Sequence, residues 1–210
     1  MTFPFNDAFR RDVTARLADL DVIGQSDTEL RRAAVALVVV NSEVEMGASV
    51  LITLRPRTIK RHSNQFALPG GRLDEGETIV EAALRELDEE VGLKLSEADV
   101  IGRLDDYPTR SGFCISPVVM WGGDPIDIHP DPNEVAEVFR IPLSELNSPE
   151  IPILNLAPGA EHPVLSAMIP TVGGRMYAPT AAILYQFREV AIRGEQTRVA
   201  HFDQPAFAWK

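Results

Sequence analysis

The stretch from Ile79 to Val91, IVEAALRELDEEV, constrains this chain more than any other. Val80, Ala83, Leu84, Leu87 and Val91 recur at i, i+3, i+4, i+7 and i+11, the spacing of a single apolar helix stripe. Thr78 and Glu81 stand at capping-box spacing and Gly92 can take the left-handed conformation that ends a helix, so both ends are specified. The pattern predicts a helix with that stripe in the core. On it, Glu86, Glu89 and Glu90 lie at i, i+3 and i+4, so their carboxylates project together from a neighbouring face. Like charges at those spacings cost roughly 0.2–0.5 kcal/mol per pair, and Asp88 adds a further negative charge nearby. A solvated acidic face with Arg85 paired to a glutamate would account for them. So would a hard divalent cation, which prefers carboxylate oxygens and completes its shell with water and substrate phosphate oxygens.

The rest of the chain supplies a frame for such a helix. Asn6 or Asp7 can cap a first helix, extending to about residue 20, in which Phe9, Val13, Leu17 and Leu20 form one stripe. AAVALVVV, residues 33–40, reads as a strand buried on both faces, and Val50 to Leu54 as the next. Gln65 to Leu68 predicts a short strand that stops at Pro69, Gly70 and Gly71. Further strands are expected near Val100–Leu104, Phe113–Met120 and Val135–Ile141, with Pro142 in the first turn of a short helix. The proline-rich stretch Ser148–Pro163 reads as loop, Ile169–Ala178 as a hairpin turning at Gly173 and Gly174, and Thr180 to about Glu189 as a helix. This order implies a mixed sheet flanked by helices in a single α/β domain over residues 1–210, with a core at about 33–190 and a tail at 191–210.

Charge and cysteine content narrow the partners. Against 20 basic residues stand 31 acidic ones, a net charge of −11, which is the wrong sign for binding polymeric nucleic acid through phosphate contacts. A small anion is still compatible, because a bound metal and a few local arginines can reverse the field at one site. A single cysteine, Cys114, offers neither a disulfide nor a zinc cluster, and no apolar run is long enough for a membrane span. With no apolar signal core near the start, a cytoplasmic location is expected. The aromatic tail, with Phe202, Phe207 and Trp209, fits either docking on its own domain or a homodimer contact.

Gly71, Glu77, Arg85, Glu86, Leu87, Glu89, Glu90, Gly92 and Leu93 stand at the spacings of the Nudix box, and the chain resembles the Nudix hydrolases over that segment. The resemblance implies an α/β/α sandwich with a mixed sheet, here with an N-terminal helix and a C-terminal extension added. It further implies Mg²⁺, with Mn²⁺ as a substitute, held by Glu86, Glu89, Glu90 and the Gly71 carbonyl, and catalysis that engages Glu89, Glu90 and Arg85. Glu77 would brace the box through Arg85. Immediately upstream, LITLRPRTIKRHSNQFALPGG, residues 51–71, is similar to the extra motif of the coenzyme A pyrophosphatase branch, with Pro56, Asn64, Phe66 and Leu68 departing from it. Residues 104–119 and 133–146 also resemble that branch, and Glu134 is a candidate general base or further ligand. Where the branch carries Trp-Gly-x-Thr-Ala, this chain has Tyr177, Ala178, Pro179, Thr180 and Ala181.

Arg55, Arg57, Lys60, Arg61 and His62 concentrate positive charge beside the box, and Arg72 follows its first glycine. Arg55, Arg57, Lys60 and Arg72 are the candidate phosphate-binding residues. The leading expectation is hydrolysis of CoA or an acyl-CoA to 3′,5′-ADP and a 4′-phosphopantetheine product. The alternatives are a pyrophosphatase for ADP-ribose, NADH or another nucleoside diphosphate derivative, and a non-catalytic sensor that keeps the fold.

Overall fold

A computed structural model describes residues 2–25, 29–42, 47–56 and 65–205. Arg57, Lys60, Arg61 and His62, and the tail aromatics Phe207 and Trp209, lie outside the described residues.

Eight strands among the described residues form one mixed sheet: β1 (Arg31–Asn41), β2 (Ala48–Leu54), β3 (Phe66–Ala67), β4 (Gly70–Arg72), β5 (Val100–Arg103), β6 (Tyr107–Pro108), β7 (Phe113–Trp121) and β8 (Glu137–Pro142). β1 is central because its run of β-branched residues can be buried on both faces. It pairs in parallel with β7, from Arg31 opposite Phe113 to Val39 opposite Trp121, and every other pairing in the sheet is antiparallel. On its other side β1 pairs with β2 only at Val39–Asn41. Lower down the two strands part, and the intervening space takes β3 beside β2 and β4 beside β1.

Successive residues of β1 divide two cores. Ala34, Ala36, Val38 and Val40 pack with α2 (Ile79–Val91), whereas Leu37 and Val39 belong to the opposite cluster with α1 (Asp7–Ala18) and α4 (Thr180–Phe187). This is the expected α/β/α arrangement, and the alternation is the period-2 rule of a strand covered on both sides. α1 begins at Asn6, whose side chain accepts from the Phe9 N–H at 2.9 Å, and buries Phe9, Val13 and Leu17. A second sheet, β9 (Ile153–Asn155), β10 (Val164–Ile169) and β11 (Gly174–Tyr177), lies against α4.

Several boundaries differ from the sequence reading. Gly70 and Gly71 do not merely stop a strand; they are strand residues themselves, because without a Cβ they can lie tightly against β1 and α2. The stretch 148–163 contains β9, which Ile153 and Leu154 form by pairing with Ser166 and Leu165. The hairpin is longer than expected, since β10 begins at Val164, and it turns over 170–173. β8 starts at Glu137, two residues late, because Val135 N–H is held by the Asp131 carbonyl; Pro142 ends that strand and precedes the short α3 (Leu143–Leu146). β6 was hidden by its Pro108. The last helix runs on past Phe187 as π-helical turns to Arg193, where Gly194 takes a left-handed φ.

The buried pair Asp105 and Asp106 fastens the chain ends to the sheet. Asp105 accepts from Ile23 N–H, Gln186 and Arg198, and Asp106 from Gln25 N–H, Arg103 and Ser116. Removing one buried partner leaves the others unpaired. Asp105→Ala is therefore expected to lower stability by about 2–4 kcal/mol in urea denaturation, with no change in slope.

Candidate active site

α2 starts with the reciprocal capping box of Thr78 and Glu81 and ends at Gly92, at φ 70°. A Cβ at Gly92 would also press on the His129 carbonyl, so both conformation and space favour glycine. His129 and Asp131 donate their N–H groups to the carbonyls of Val91 and Glu90, which brings the 129–134 loop onto the helix end.

The buried stripe is rotated from the one read in the sequence. Ala82, Ala83, Leu87, Glu90 and Val91 are buried, while Val80 and Leu84 are only half-buried. The expectation that the three carboxylates project together from one face is thereby corrected. The side chain of Glu89 is 57% exposed, that of Glu86 14% and that of Glu90 only 3%. Glu90 turns inward to the β4 backbone: its Oε2 accepts the Gly70 N–H at 3.2 Å, and Arg55 Nη1 lies 3.9 Å from Oε1. Burial pushes its carboxyl up to about 7, against the pull of Arg55 and the Gly70 N–H. Burial also raises Glu86, opposed by Arg85.

Arg85 holds this region together. Its Nε and Nη2 donate to the two oxygens of Glu77 at 2.8 and 2.9 Å, a bidentate pair. Nη1 reaches Glu86 at 2.9 Å and Glu89 at 3.0 Å, and Nη2 also donates to the Arg72 carbonyl at 3.0 Å. Glu77, in turn, accepts the Asp74 N–H. One guanidinium thus joins α2 to the loop before it and to β4. Gly71 completes the fit, because a Cβ there would overlap the Glu86 carboxylate. Ala36 donates to the Pro69 carbonyl and Leu73 to the Arg32 carbonyl, so the alternation of an antiparallel ladder makes Ala34 and Gly71 the bonded pair between them. The Gly71 carbonyl keeps one lone pair for another partner.

The donors are suited to a hard cation: oxygen atoms only, with one buried carboxylate that accepts the Gly70 N–H and has Arg55 3.9 Å away. Among the described residues no three acidic, histidine or cysteine side chains converge at metal-ligand distance, because Arg85 draws Glu86 and Glu89 toward itself while Glu90 faces Gly70. Glu134 is exposed in the loop before β8, close enough for its charge to act on both Glu86 and Glu90.

A cavity of about 540 Å³ opens on the other face of the sheet. Gly70, Gly71, Arg55 and Arg72 line one side of it, so it meets the carboxylate helix where β1 and β2 part. Tyr177, Ala178, Pro179 and Thr180 line another part, which unites the unusual C-terminal stretch with the basic residues upstream of the box. Sequence reasoning missed Phe113, Arg175 and Gln204, which also line it. Arg31 and Arg72 lie 4.0 and 5.3 Å over the Phe113 ring. An aromatic at the start of a strand beside an Arg-rich partner was a signal in the sequence, but only the parallel register of β1 and β7 pairs Arg31 with Phe113.

Fold and site together define a Nudix domain, and the profile of that family matches residues 30–162: the chain belongs to the Nudix family. Among sequence relatives, an uncharacterized Nudix hydrolase named NudL from Yersinia enterocolitica is 39% identical over 98 residues, 46% of this chain and 50% of the relative. NudL of Cronobacter sakazakii is 38% identical over 124 residues, 59% of this chain and 63% of the relative. The chain thus spans between half and two thirds of the length of these relatives. A MutT/nudix family protein from Enterococcus faecalis has a similar fold, with a TM-score of 0.54 at 13% identity over 80% of this chain and 64% of that one.

The Glu77–Arg85 pair makes a pH prediction. Hydrogen bonding to Arg85 holds the Glu77 carboxyl below its ordinary value, so the pair's contribution to stability is complete above about pH 4.5 and fades as pH falls through the lower, folded value. Wild type should exceed Glu77→Gln in melting temperature at pH 7, and the gap should close on acidification to about pH 3.

Proposed function

We propose that the chain hydrolyses a diphosphate linkage in a nucleotide derivative, with CoA or an acyl-CoA as the first candidate substrate. The observation that carries this reading is the junction of the cavity with the carboxylate helix, at which Arg55 lies between the buried Glu90 and the cavity wall. Glu86, Glu89, Glu90 and the Gly71 carbonyl would hold Mg²⁺, or Mn²⁺ in its place. When bound, such an ion makes phosphorus more electrophilic and offsets the charge that develops on the phosphate oxygens.

The chain's own residues have separate tasks. Arg55 and Arg72, which line the cavity, would bind phosphate oxygens, and a guanidinium does this with several donors in one plane. Arg85 keeps Glu86 and Glu89 in register with β4, with Glu77 bracing it. Glu90, or the exposed Glu134 in the loop before β8, would take the proton from the attacking water. Arg57 and Lys60 are further phosphate-binding candidates from the sequence. Support for CoA comes from the motif at residues 51–71; in favour of ADP-ribose or NADH stands the cavity wall at Tyr177–Pro179, where the branch pattern is lost.

The full chain with Mg²⁺ should release 3′,5′-ADP from CoA, with a higher kcat/KM than for ADP-ribose, NADH or diadenosine polyphosphates. Faster cleavage of one of the others would replace CoA by that substrate, and no cleavage of any would favour a non-catalytic sensor. Glu90→Gln should reduce turnover by about a hundredfold or more while the protein stays folded by circular dichroism.

A further inference from the structure

Arg72, Ala33 and Ile115, which line the cavity, lie in a row of residues that crosses the sheet. Arg72 stands opposite Ala33, Ala33 opposite Ile115, and Ile115 opposite Tyr107, so three strand intervals separate β4 from β6. At the usual spacing between strands the row is about 14 Å long. The box glycines lie at one end. At the other the wall is made by Gln204, which is buried, donates toward the Pro108 carbonyl at 3.4 Å and touches the Tyr107 hydroxyl.

Gln204 is held in place by contacts on both sides. Arg110 grips Asp203 with two hydrogen bonds, at 2.5 and 2.7 Å, and the Gln204 N–H donates to the same carboxylate at 2.8 Å. Asp203 N–H donates to the Pro163 carbonyl, and the residue bridges in parallel to Val164 at the start of β10. Tyr107 donates its hydroxyl to the Phe202 carbonyl at 2.8 Å. Arg110 belongs to the same turn as Thr109 and Ser111, which line the cavity themselves. The segment 202–204 lies beyond residues 30–162, which match the family profile.

We infer that Gln204 is a specificity-determining residue, whose side-chain amide recognises a neutral hydrogen-bonding group at the end of the substrate remote from the diphosphate, and that Asp203 and Arg110 position it. The inference rests on the proposed diphosphate site at the opposite end of the row. With its N–H groups turned to the Pro108 carbonyl and the Tyr107 hydroxyl, the amide keeps its carbonyl oxygen as an acceptor, which suits an N–H of a nucleobase edge, a hydroxyl or another amide. It also favours length: the backbone row between the box glycines and Tyr107, beside Gln204, is about 14 Å, so a substrate that uses both ends has an arm beyond its phosphates, as CoA has in its nucleotide and pantetheine parts and a short phosphate ester has not.

The test uses the full chain in two assays with CoA, ADP-ribose and NADH: steady-state kinetics with Mg²⁺, and equilibrium dialysis of each compound in chelator. For the substrate cleaved fastest, Gln204→Ala is expected to raise both KM and the chelator Kd by about three- to tenfold, the size of one hydrogen bond, with kcat within twofold. Asp203→Asn should move the same two quantities in the same direction, and adding Arg110→Ala to it should do little more, since the pair acts as a unit. Gln204→Glu, close in shape, serves if the alanine variant fails to fold. Unchanged KM and Kd in the Gln204 variants would overturn the inference while leaving the diphosphate reading intact. A wild-type protein that neither binds nor cleaves any of the three compounds would overturn the reading beneath it.

Discussion

The contacts of Arg85 are the constraint on which the site depends. A helix that carries Glu86, Glu89 and Glu90 within one turn, with Asp88 beside them, repels itself. One guanidinium offsets that repulsion: it bonds Glu86 and Glu89 through a single nitrogen and holds Glu77 in a bidentate grip on its other side. Because the Arg72 carbonyl accepts from it as well, the acidic helix is fixed to the strand that contains Gly71. Lysine, with one compact ammonium, could not span these four partners. The close approach of Gly71 to Glu86 follows from the same geometry, since any side chain there would displace the carboxylate.

The second constraint is the gap in the sheet. β1 and β2 are paired at one end only, and β3 and β4 lie between them at the other. A sheet with helices on both faces ordinarily separates them completely. Here the gap lets Glu90, from the helix on one face, meet the Gly70 N–H and approach Arg55, which lines the cavity on the opposite face. The carboxylates proposed to bind metal and the cavity proposed to bind substrate can then adjoin although they arise on different sides of the sheet. The cost is a buried carboxyl with few partners, which burial shifts toward neutral pH.

Local pattern made much of this legible in the sequence. The caps of α2, the run that forms β1 and the spacing of Glu77, Arg85, Glu86, Glu89 and Glu90 all lie within short stretches whose periods are distinctive. The inward turn of Glu90 was not legible, because periodicity assigns a charged residue to the polar face and the Gly70 N–H that it meets is in place only after β4 has paired with β1. Strands as short as β4, β6 and β9 contain glycine or proline or sit within proline-rich sequence, so the usual strand signals are missing. The cavity is assembled from residues as distant as Ala33 and Gln204; its members could be suspected singly, as Arg55, Arg72 and the Tyr177–Ala181 stretch were, but their meeting is a property of register.

The proposed function needs α2 and β4 together to form a divalent-cation site beside the cavity. The most direct measurement is a titration of Mn²⁺ into the full chain followed by electron paramagnetic resonance, in which free aqueous ion gives the sharp signal. Wild type should remove Mn²⁺ from the free pool, Mg²⁺ should compete for the same place, and Glu86→Gln and Glu90→Gln should each weaken the binding while both variants remain folded. Binding of equal strength in wild type and both variants, or none in the wild type, would contradict the account.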